Sequence, residues 1–326
     1  MNNKQQNLQK KITAGKYRTI VEYNNGDKYD GNWKDGKRNG FGSMYYNNGE
    51  KYIGYWKNDK RNGLGSMHYN NGNTYNGNWK NDERNGQGIL YYEKKDIFHF
   101  NAPKLKCKYV GNWKNGKRNG RGVETISNGE RYIGDWKNGK KNGRGFQEYS
   151  GNKKISCNFS DDCANGIGVI YYDNGNIFQG RIESNHPNYG TMRYKNVGTY
   201  VGNFDHGDKT NGTMYYKNGD KYVGNFDGNY YHGRGTYYFK DGDIVDVMYK
   251  RGDLVKDRMI RKVHNNTNKK AIYMQYISDH SNDDQEYFKT KYNQINVSKN
   301  YIEIQKDWDG EIKKQRRYKR SKCSSS

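Results

Sequence analysis

Residues that could do chemistry are common in this sequence, but few stand at the spacing that a reactive site needs. The seven histidines are scattered, and the four cysteines, Cys107, Cys157, Cys163 and Cys323, show no metal-ligand spacing. Cys157 and Cys163 are better explained as packed thiols than as a site. No nucleophile stands beside a base in a recognisable motif. The sequence therefore predicts a protein with no enzymatic activity and no cofactor or metal.

A recurring Gly-x-Gly motif is the second feature with a chemical interpretation, because glycine-rich loops can cradle phosphates. The motif recurs at Gly40/Gly42, Gly63/Gly65, Gly86/Gly88, Gly120/Gly122, Gly143/Gly145, Gly166/Gly168 and Gly233/Gly235. No copy opens a helix or ends in Lys-Ser/Thr, as a nucleotide-binding loop does. We therefore interpret these glycines as strand positions where a neighbouring ring lies against the backbone.

Basic residues offer the clearest binding chemistry. The formal net charge is +23, and Lys or Arg recurs after Trp33, Trp56, Trp79, Trp113 and Trp136. In register, these residues would form a basic stripe along one edge, which attracts anionic membranes or acidic protein segments. A solvated edge that blocks strand pairing explains them equally well. The candidate anion-binding residues are Lys37, Arg38, Lys60, Arg61, Lys117, Arg118, Lys140, Lys141, Arg316, Arg317, Lys319 and Arg320.

Regular aromatic spacing shows which elements must position these residues. Trp33, Trp56, Trp79, Trp113 and Trp136 follow one another at steps of 23, 23, 34 and 23 residues. The same slot continues as Phe159, Ile182, Phe204 and Phe226. A fixed period of this size indicates a repeat array. Eleven extra residues near 94–104 account for the long step, and the units near 155–199 are degenerate.

Each repeat is predicted to contain two short strands. Tyr29, Gly31 and Trp33 alternate with polar residues, which places them on one face of a strand. Asn-Gly or Asp-Gly pairs between units predict tight type I′ hairpins, whereas the connection from Trp33 to Gly40 is expected to be longer and basic. The chain is therefore predicted to be an all-β antiparallel meander. Its repeat aromatic core is predicted to be Tyr29, Trp33, Tyr52, Trp56, Tyr75, Trp79, Tyr109, Trp113, Tyr132, Trp136, Tyr200, Phe204, Tyr222 and Phe226.

The pattern Tyr-x-Gly-x-Trp-x-x-Gly-x-x-x-Gly-x-Gly resembles the MORN repeat, and the segments from Tyr52 to Gly65 and from Tyr109 to Gly122 fit it closely. The resemblance implies an elongated, single-layer twisted sheet. Some MORN proteins carry a lipid kinase or SET-type methyltransferase domain after the repeats. Residues 253–326 are too few for either and hold no motif of either.

The two ends are expected to differ from the array at 17–252. Residues 1–16 are predicted to be disordered. Asp253 could cap a short helix carrying Val255, Met259 and Val263, within a poorly defined segment at 253–312. Residues 313–326 form a basic tail without acidic residues. Because no long apolar run or signal peptide is recognised, we expect an intracellular, cytoplasmic protein.

Two functions stay open at this stage. The first is a scaffold that binds protein partners, resembling radial spoke head and other cytoskeletal MORN proteins, at the cytoskeleton or in a cilium. The alternative is a peripheral membrane-binding module, resembling junctophilin repeats, whose basic edge and tail meet anionic phospholipid. Nucleic acid is the least supported partner, because no nucleic-acid module is present. A homodimer also stays open.

Overall fold

The computed structural model describes residues 8–13, 18–95 and 104–261, and within these ranges all 23 regular elements are β-strands of one sheet. In chain order the strands are β1 (Leu8–Thr13), β2 (Arg18–Tyr23), β3 (Lys28–Lys34), β4 (Lys37–Tyr45), β5 (Lys51–Lys57), β6 (Lys60–His68), β7 (Thr74–Lys80), β8 (Glu83–Lys94), β9 (Leu105–Lys114), β10 (Lys117–Ile126), β11 (Arg131–Lys137), β12 (Lys140–Glu148), β13 (Lys154–Ser160), β14 (Cys163–Ala164), β15 (Gly166–Tyr171), β16 (Ile177–Glu183), β17 (His186–Tyr194), β18 (Gly198–Asp205), β19 (Asp208–Tyr216), β20 (Lys221–Asp227), β21 (Tyr230–Tyr238), β22 (Ile244–Lys250) and β23 (Asp253–Arg261).

Consecutive strands pair antiparallel, so the predicted all-β meander is confirmed. The short β14 is a local break, because β13 pairs first with β14 and then with β15. One face carries Tyr52, Gly54 and Trp56 and their equivalents in the other repeats; we call it the ring face. The opposite face, which carries Ile53 and Tyr55, is called the open face.

Glycine on the ring face makes room for the tyrosine ring. Gly54 and Gly65 are cross-strand partners, and the Tyr52 ring lies over both. A Cβ atom on Gly65 would lie 2.2 Å from the Tyr52 hydroxyl oxygen, so no larger residue fits there without movement. The Tyr52 hydroxyl donates a hydrogen bond to the Tyr55 carbonyl oxygen at 3.0 Å, which satisfies the buried phenol.

Aromatic rings join successive repeats. Tyr52 packs edge-on against Trp56 of its own strand, with centroids 5.0 Å apart, and against Trp79 of the next repeat, 5.5 Å away. The same alternation runs unbroken from Tyr29 to Phe159. Edge-to-face pairs of this kind add roughly 0.5–1.5 kcal/mol each beyond the area they bury. The core is thus a single file of rings along one face of the sheet.

The two kinds of hairpin turn are the reverse of what the sequence suggested. In the Asn-Gly hairpins only the glycine has a positive φ, 85° at Gly49, and Gly49 N–H donates to Tyr46 carbonyl. This is a type I turn closed by a left-handed glycine, not a type I′ turn. The predicted long connection after tryptophan is instead the two-residue turn: Asn58 and Asp59 have φ of 49° and 64°, as type I′ requires.

This correction moves the basic residues from a loop into a strand. Lys57 pairs directly with Lys60 across the turn, and Trp56 pairs with Arg61. Because neighbouring residues of a strand point to opposite faces, Lys60 belongs to the open face and Arg61 to the ring face. Each basic pair is therefore divided between two surfaces.

Both predictions for the chain ends need correction. Residues 1–16 were expected to be disordered, but within them Leu8–Thr13 form β1, which satisfies the backbone groups of β2. Residues 1–7 and 14–16 lie outside the described residues. The helix predicted from Asp253 is wrong, because Asp253–Arg261 form β23, paired with β22. Val255 and Met259 lie four residues apart. This spacing fits the two-residue period of a strand as well as it fits a helix. The remaining predicted helix residue, Val263, lies outside the described residues.

Candidate binding surfaces

Almost all of the residues predicted as the aromatic core are buried on the ring face. Tyr52 and Tyr75 have no exposed surface, and Trp56 and Trp79 are 4% exposed; only Trp33 is half-buried. Equivalent buried residues in the other repeats are Tyr29, Tyr109, Trp113, Tyr132, Trp136, Tyr200, Phe204, Tyr222 and Phe226. Burial raises the pKa of the Tyr109 phenol to about 12, so this ring stays neutral at physiological pH.

Of the eight candidate anion-binding residues that the structure describes, four cover these rings instead of facing solvent. The Arg61 guanidinium lies 4.2 Å from the Trp79 ring centroid, and its Nε donates to the Asp82 carboxylate at 3.1 Å. Arg38 repeats this arrangement on Trp56, at 4.4 Å, with its side chain 15% exposed. A stacked cation of this kind stabilises the fold by roughly 0.5–2 kcal/mol. Arg38 and Arg61 are therefore structural residues.

Arg84 fills the same slot in the third repeat and was not among the candidates. Its guanidinium lies 4.2 Å from the Trp113 ring and donates to the Gly116 carbonyl oxygen at 2.8 Å. Burial lowers the pKa of this arginine, yet it stays charged because its ordinary pKa is so high. The Lys/Arg position that follows each tryptophan turn would have revealed it from the sequence.

Arg118 and Lys141 hold a polar network that the sequence did not suggest. Arg118 stacks on Trp136 at 4.9 Å and donates to the buried Glu124 carboxylate at 2.8 Å. Lys94, the first residue of the predicted insertion, donates to the same carboxylate at 3.1 Å. The Tyr92 hydroxyl donates to it as well. In the neighbouring repeat, Lys141 Nζ donates to the Gln147 side-chain oxygen at 2.5 Å. Both cations are thus engaged within the fold.

The pKa of Glu124 shows how strongly this network is coupled. Burial alone would raise the pKa, but the positive charges of Arg118 and Lys94 outweigh burial and lower it to about 2. The carboxylate is therefore ionised across the physiological range. It occupies the slot that Met44 and Met67 fill in earlier repeats, so it replaces an apolar contact by an ionic one.

The other basic candidates are exposed. Lys37, Lys60, Lys117 and Lys140 each open the strand that follows a type I′ turn, and each side chain is exposed. Each lies directly opposite a second lysine, respectively Lys34, Lys57, Lys114 and Lys137. The last four candidates, Arg316, Arg317, Lys319 and Arg320, lie outside the described residues.

An apolar patch on the open face was missed by the sequence analysis. Phe41 and Tyr55 are cross-strand partners, with ring centroids 5.6 Å apart, and both are 50% exposed. Leu64 follows on β6 and is 60% exposed. The corresponding positions of the third repeat are Asn78 and Gln87. Comparing the residue before each tryptophan slot, and the residue between each glycine pair, would have revealed this patch.

Metal sites and membrane-spanning helices concern only the part of the chain that the structure describes. Within it, no group of three or more His, Cys, Asp or Glu residues is arranged to hold a metal ion. No helix long and apolar enough to span a bilayer was found in the same residues. The candidate surfaces are therefore the open face and the line of type I′ turns.

Comparison with known proteins is consistent with the repeat geometry. The model of the MORN repeat family matches residues 29–51, 52–74, 75–97, 109–131, 132–152 and 222–244. A search of curated proteins gave no match. One matching solved structure is the SAS-4 (dCPAP) TCP domain in complex with a Proline Rich Motif of Ana2 (dSTIL) of Drosophila melanogaster, with 11% identity and a TM-score of 0.21. That match covers 77% of this chain and 94% of the other.

The unmatched stretch between residues 152 and 222 contains the degenerate units, yet its strands continue the same sheet in the same order. Six matched repeats with the tyrosine, glycine and tryptophan positions in their structural roles identify this chain as a MORN-repeat protein.

Proposed function

We propose that this protein is a non-enzymatic scaffold that binds a protein partner through its open face. MORN repeats belong to a non-enzymatic family of protein- and membrane-interaction repeats. The ring face is occupied by its own tyrosines, tryptophans and arginines, which leaves the open face as the broad free surface of the array.

The patch of Phe41, Tyr55 and Leu64 is the observation that carries this proposal. Three large apolar side chains, each at least half exposed, lie together on strands held rigid by both neighbours. Contiguous exposed apolar surface of this kind is typical of protein interaction sites. Aromatic residues are also enriched where binding energy concentrates. We further propose an intracellular, cytoskeletal setting, because the resemblance to cytoskeletal MORN proteins implies it; localisation of a tagged chain tests this.

The chain itself supplies the substitutions that test the patch. Tyr55→Asn with Leu64→Gln gives the second repeat the residues that the third repeat carries at Asn78 and Gln87. Cross-linking followed by mass spectrometry would identify the partner joined to β4–β6, and affinity would then be measured with purified components. We expect the double variant to weaken binding at least about tenfold, as the loss of interface anchors does.

Val223→Asn serves as the matched control, because Val223 is 38% exposed on the open face away from the patch. We expect this control to bind like the parent chain. Equal affinity of the parent and the Tyr55→Asn, Leu64→Gln variant would refute the patch as the docking site.

Binding to anionic phospholipid is a second candidate, favoured by the exposed lysine pairs. Lys34, Lys37, Lys57 and Lys60 lie together, and each basic residue near an anionic membrane contributes roughly 1 kcal/mol. Co-sedimentation with anionic and neutral vesicles over a salt series tests it. Arg38 and Arg61 must stay unchanged in these variants, since their loss would disturb the fold. We expect deletion of Lys313–Ser326 to weaken anionic binding more than changing the four lysines to Gln. Equal binding to both vesicle types would exclude the membrane function.

A further inference from the structure

The line of type I′ turns changes its sign of charge along the sheet. We call this line, with the open-face residue pair that flanks each turn, the turn edge. From β3 to β12 five hairpins supply ten flanking positions, of which nine are lysine and one is Glu83. The lysines are Lys34, Lys37, Lys57, Lys60, Lys80, Lys114, Lys117, Lys137 and Lys140.

The last described hairpin of the turn edge pairs Lys250 with Asp253, and the three hairpins before it are acidic. The flanking pairs are Glu183 with His186, Asp205 with Asp208, and Asp227 with Tyr230. Of these carboxylates, Asp227 lies 3.0 Å from Arg251 and Asp205 lies 2.7 Å from His206. Glu183 and Asp208 form no ion pair with any described residue, and both are exposed. Between the two halves lie Ser160 and Cys163, flanking Asp161 and Asp162 in the turn.

Pairing lysine with lysine has a cost. Like charges directly opposite on neighbouring strands destabilise a sheet. Lys114 lies opposite Lys117, and Lys137 opposite Lys140, and only Lys140 meets an acid within the described residues, Asp161 at 3.4 Å. Solubility alone does not require this arrangement, because mixed signs would keep the edge soluble as well. The uncompensated charge is instead suited to an external partner of opposite charge.

We infer that the turn edge is the docking surface for a second copy of this chain, placed antiparallel about a two-fold axis near Ser160 and Cys163. Neighbouring hairpins lie two strand spacings apart, roughly 10 Å, in both halves of the edge. In an antiparallel copy, each charged cluster therefore lies opposite a cluster of the first copy. The pair Lys137 and Lys140 faces Glu183, and the pair Lys114 and Lys117 faces Asp205 and Asp208. A two-fold axis repeats every such contact once.

A second copy fits this surface better than a membrane or an acidic peptide does. A surface of one sign would be attracted by the lysine half and repelled by the carboxylate half of the same edge. Both halves of the turn edge are matched only by a partner that carries positive and negative clusters at the same spacing and in the opposite order. A second copy of this chain is such a partner. The inference does not depend on the apolar patch, which lies on other residues.

The net charge of +23 makes two copies repel each other, whereas the facing clusters of the turn edge attract. Ionic strength decides which of these two effects is larger. Long-range repulsion is screened beyond about 8 Å at physiological ionic strength, whereas facing clusters lie closer than that. At about 1 M salt, where the screening length falls to roughly 3 Å, the facing clusters are screened as well. The dimer is therefore expected near 0.1–0.2 M salt (about physiological strength) and lost at about 1 M.

Charge exchange between two variants of the full chain tests this inference. The first variant, Lys114→Glu, Lys117→Glu and Lys137→Glu, leaves Lys140 as the one lysine at the flanking positions of the central edge. The second, Glu183→Lys, Asp205→Lys and Asp208→Lys, makes it basic throughout. The mass in solution is measured by light scattering, and circular dichroism checks that each variant retains its fold. We expect a dimer for the parent chain, a monomer for each variant alone, and a dimer when the two variants are mixed.

A matched control reverses charge where the antiparallel copy supplies no acid. Lys34 and Lys37 lie beyond the facing carboxylates, so Lys34→Glu with Lys37→Glu should leave the dimer in place. A parent chain that stays monomeric near physiological salt would overturn the inference. A dimer that survives in either central variant, or a mixture of the two variants that stays monomeric, would overturn it equally.

Discussion

The strands from β3 to β12 and those from β13 to β21 build the same sheet with different side chains. In the first half, tryptophan and arginine occur together: Arg61 lies on Trp79, and Arg84 on Trp113. In the second half no tryptophan occurs, and the position of the stacked arginine holds Ala164, Pro187, Lys209 or Tyr231. Ala164 occupies the arginine slot, shown by its carbonyl accepting from Asn185 N–H as the Arg61 carbonyl accepts from Asp82 N–H.

Other slots change together in the same way. Where Tyr132 precedes Gly134 in β11, β13 has Ile155 and Cys157. Glycine is required under an aromatic ring such as Tyr132 or Phe178, so an isoleucine permits a side chain two residues later. The comparison teaches that the sheet register persists through these changes, while the residues of one packing unit are exchanged as a set.

Truncating a ring should have the largest effect and should differ between the halves. Trp56→Ala removes contacts with Tyr29, Tyr52 and the stacked Arg38, and its Nε1 hydrogen bond to Gly42. We expect a loss of about 3–5 kcal/mol, measured as local opening free energy by hydrogen exchange. Phe204→Ala should cost less, because no arginine stacks on that ring. An equal or larger loss for Phe204→Ala would break the comparison.

Acidification should lower the stability of the first half of the sheet before that of the second half, because Glu124 lies in the first half. The pKa of this carboxyl is lowered in the folded chain, so its stabilising effect is complete above its ordinary pKa of 4.5 and is lost as pH falls toward about 2. The lost stability should be roughly 3 kcal/mol. Hydrogen exchange of β8–β10 amides between pH 5 and 2.5 (about the lowest usable value) would follow it. In Glu124→Gln this extra pH dependence should vanish; its persistence would contradict the assignment.

Introducing residues of the second half at the matching positions of the first half should show whether the tyrosine and glycine positions are energetically coupled. Gly54→Cys places a side chain where a Cβ would lie 2.5 Å from the Tyr52 hydroxyl oxygen, which should cost about 1–3 kcal/mol. Tyr52→Ile with Gly54→Cys reproduces Ile155 and Cys157. We expect the double variant to lose less stability than the sum of the two single variants. Strict additivity would show that the two slots are independent.

Much of the fold followed from the sequence because it depends on period and composition. The meander, the burial of Tyr52 and Trp56, and the role of Gly54 and Gly65 all follow from residues spaced by two and by 23. These patterns could be recognised in a single sequence because they recur from repeat to repeat.

Turn type and its consequences could not be predicted in the same way. Asn48-Gly49 is compatible with both a type I′ turn and a type I turn closed by glycine, whereas Asn58-Asp59 forms a type I′ turn with no glycine to signal it. Misplacing the turn put Lys60 and Arg61 in one loop and gave them one role. The apolar patch was missed because it breaks no period and appears only when repeats are compared position by position.

The division of roles within one basic pair is the central claim, and Lys60 and Arg61 test it most directly. The measurement is the change in local opening free energy at β5–β7 for Lys60→Gln and for Arg61→Gln. Because Lys60 is exposed, we expect its substitution to change stability by less than about 0.5 kcal/mol. Arg61→Gln removes the stack on Trp79 and the ion pair with Asp82, and should cost about 2 kcal/mol. Equal effects of the two substitutions would contradict the account.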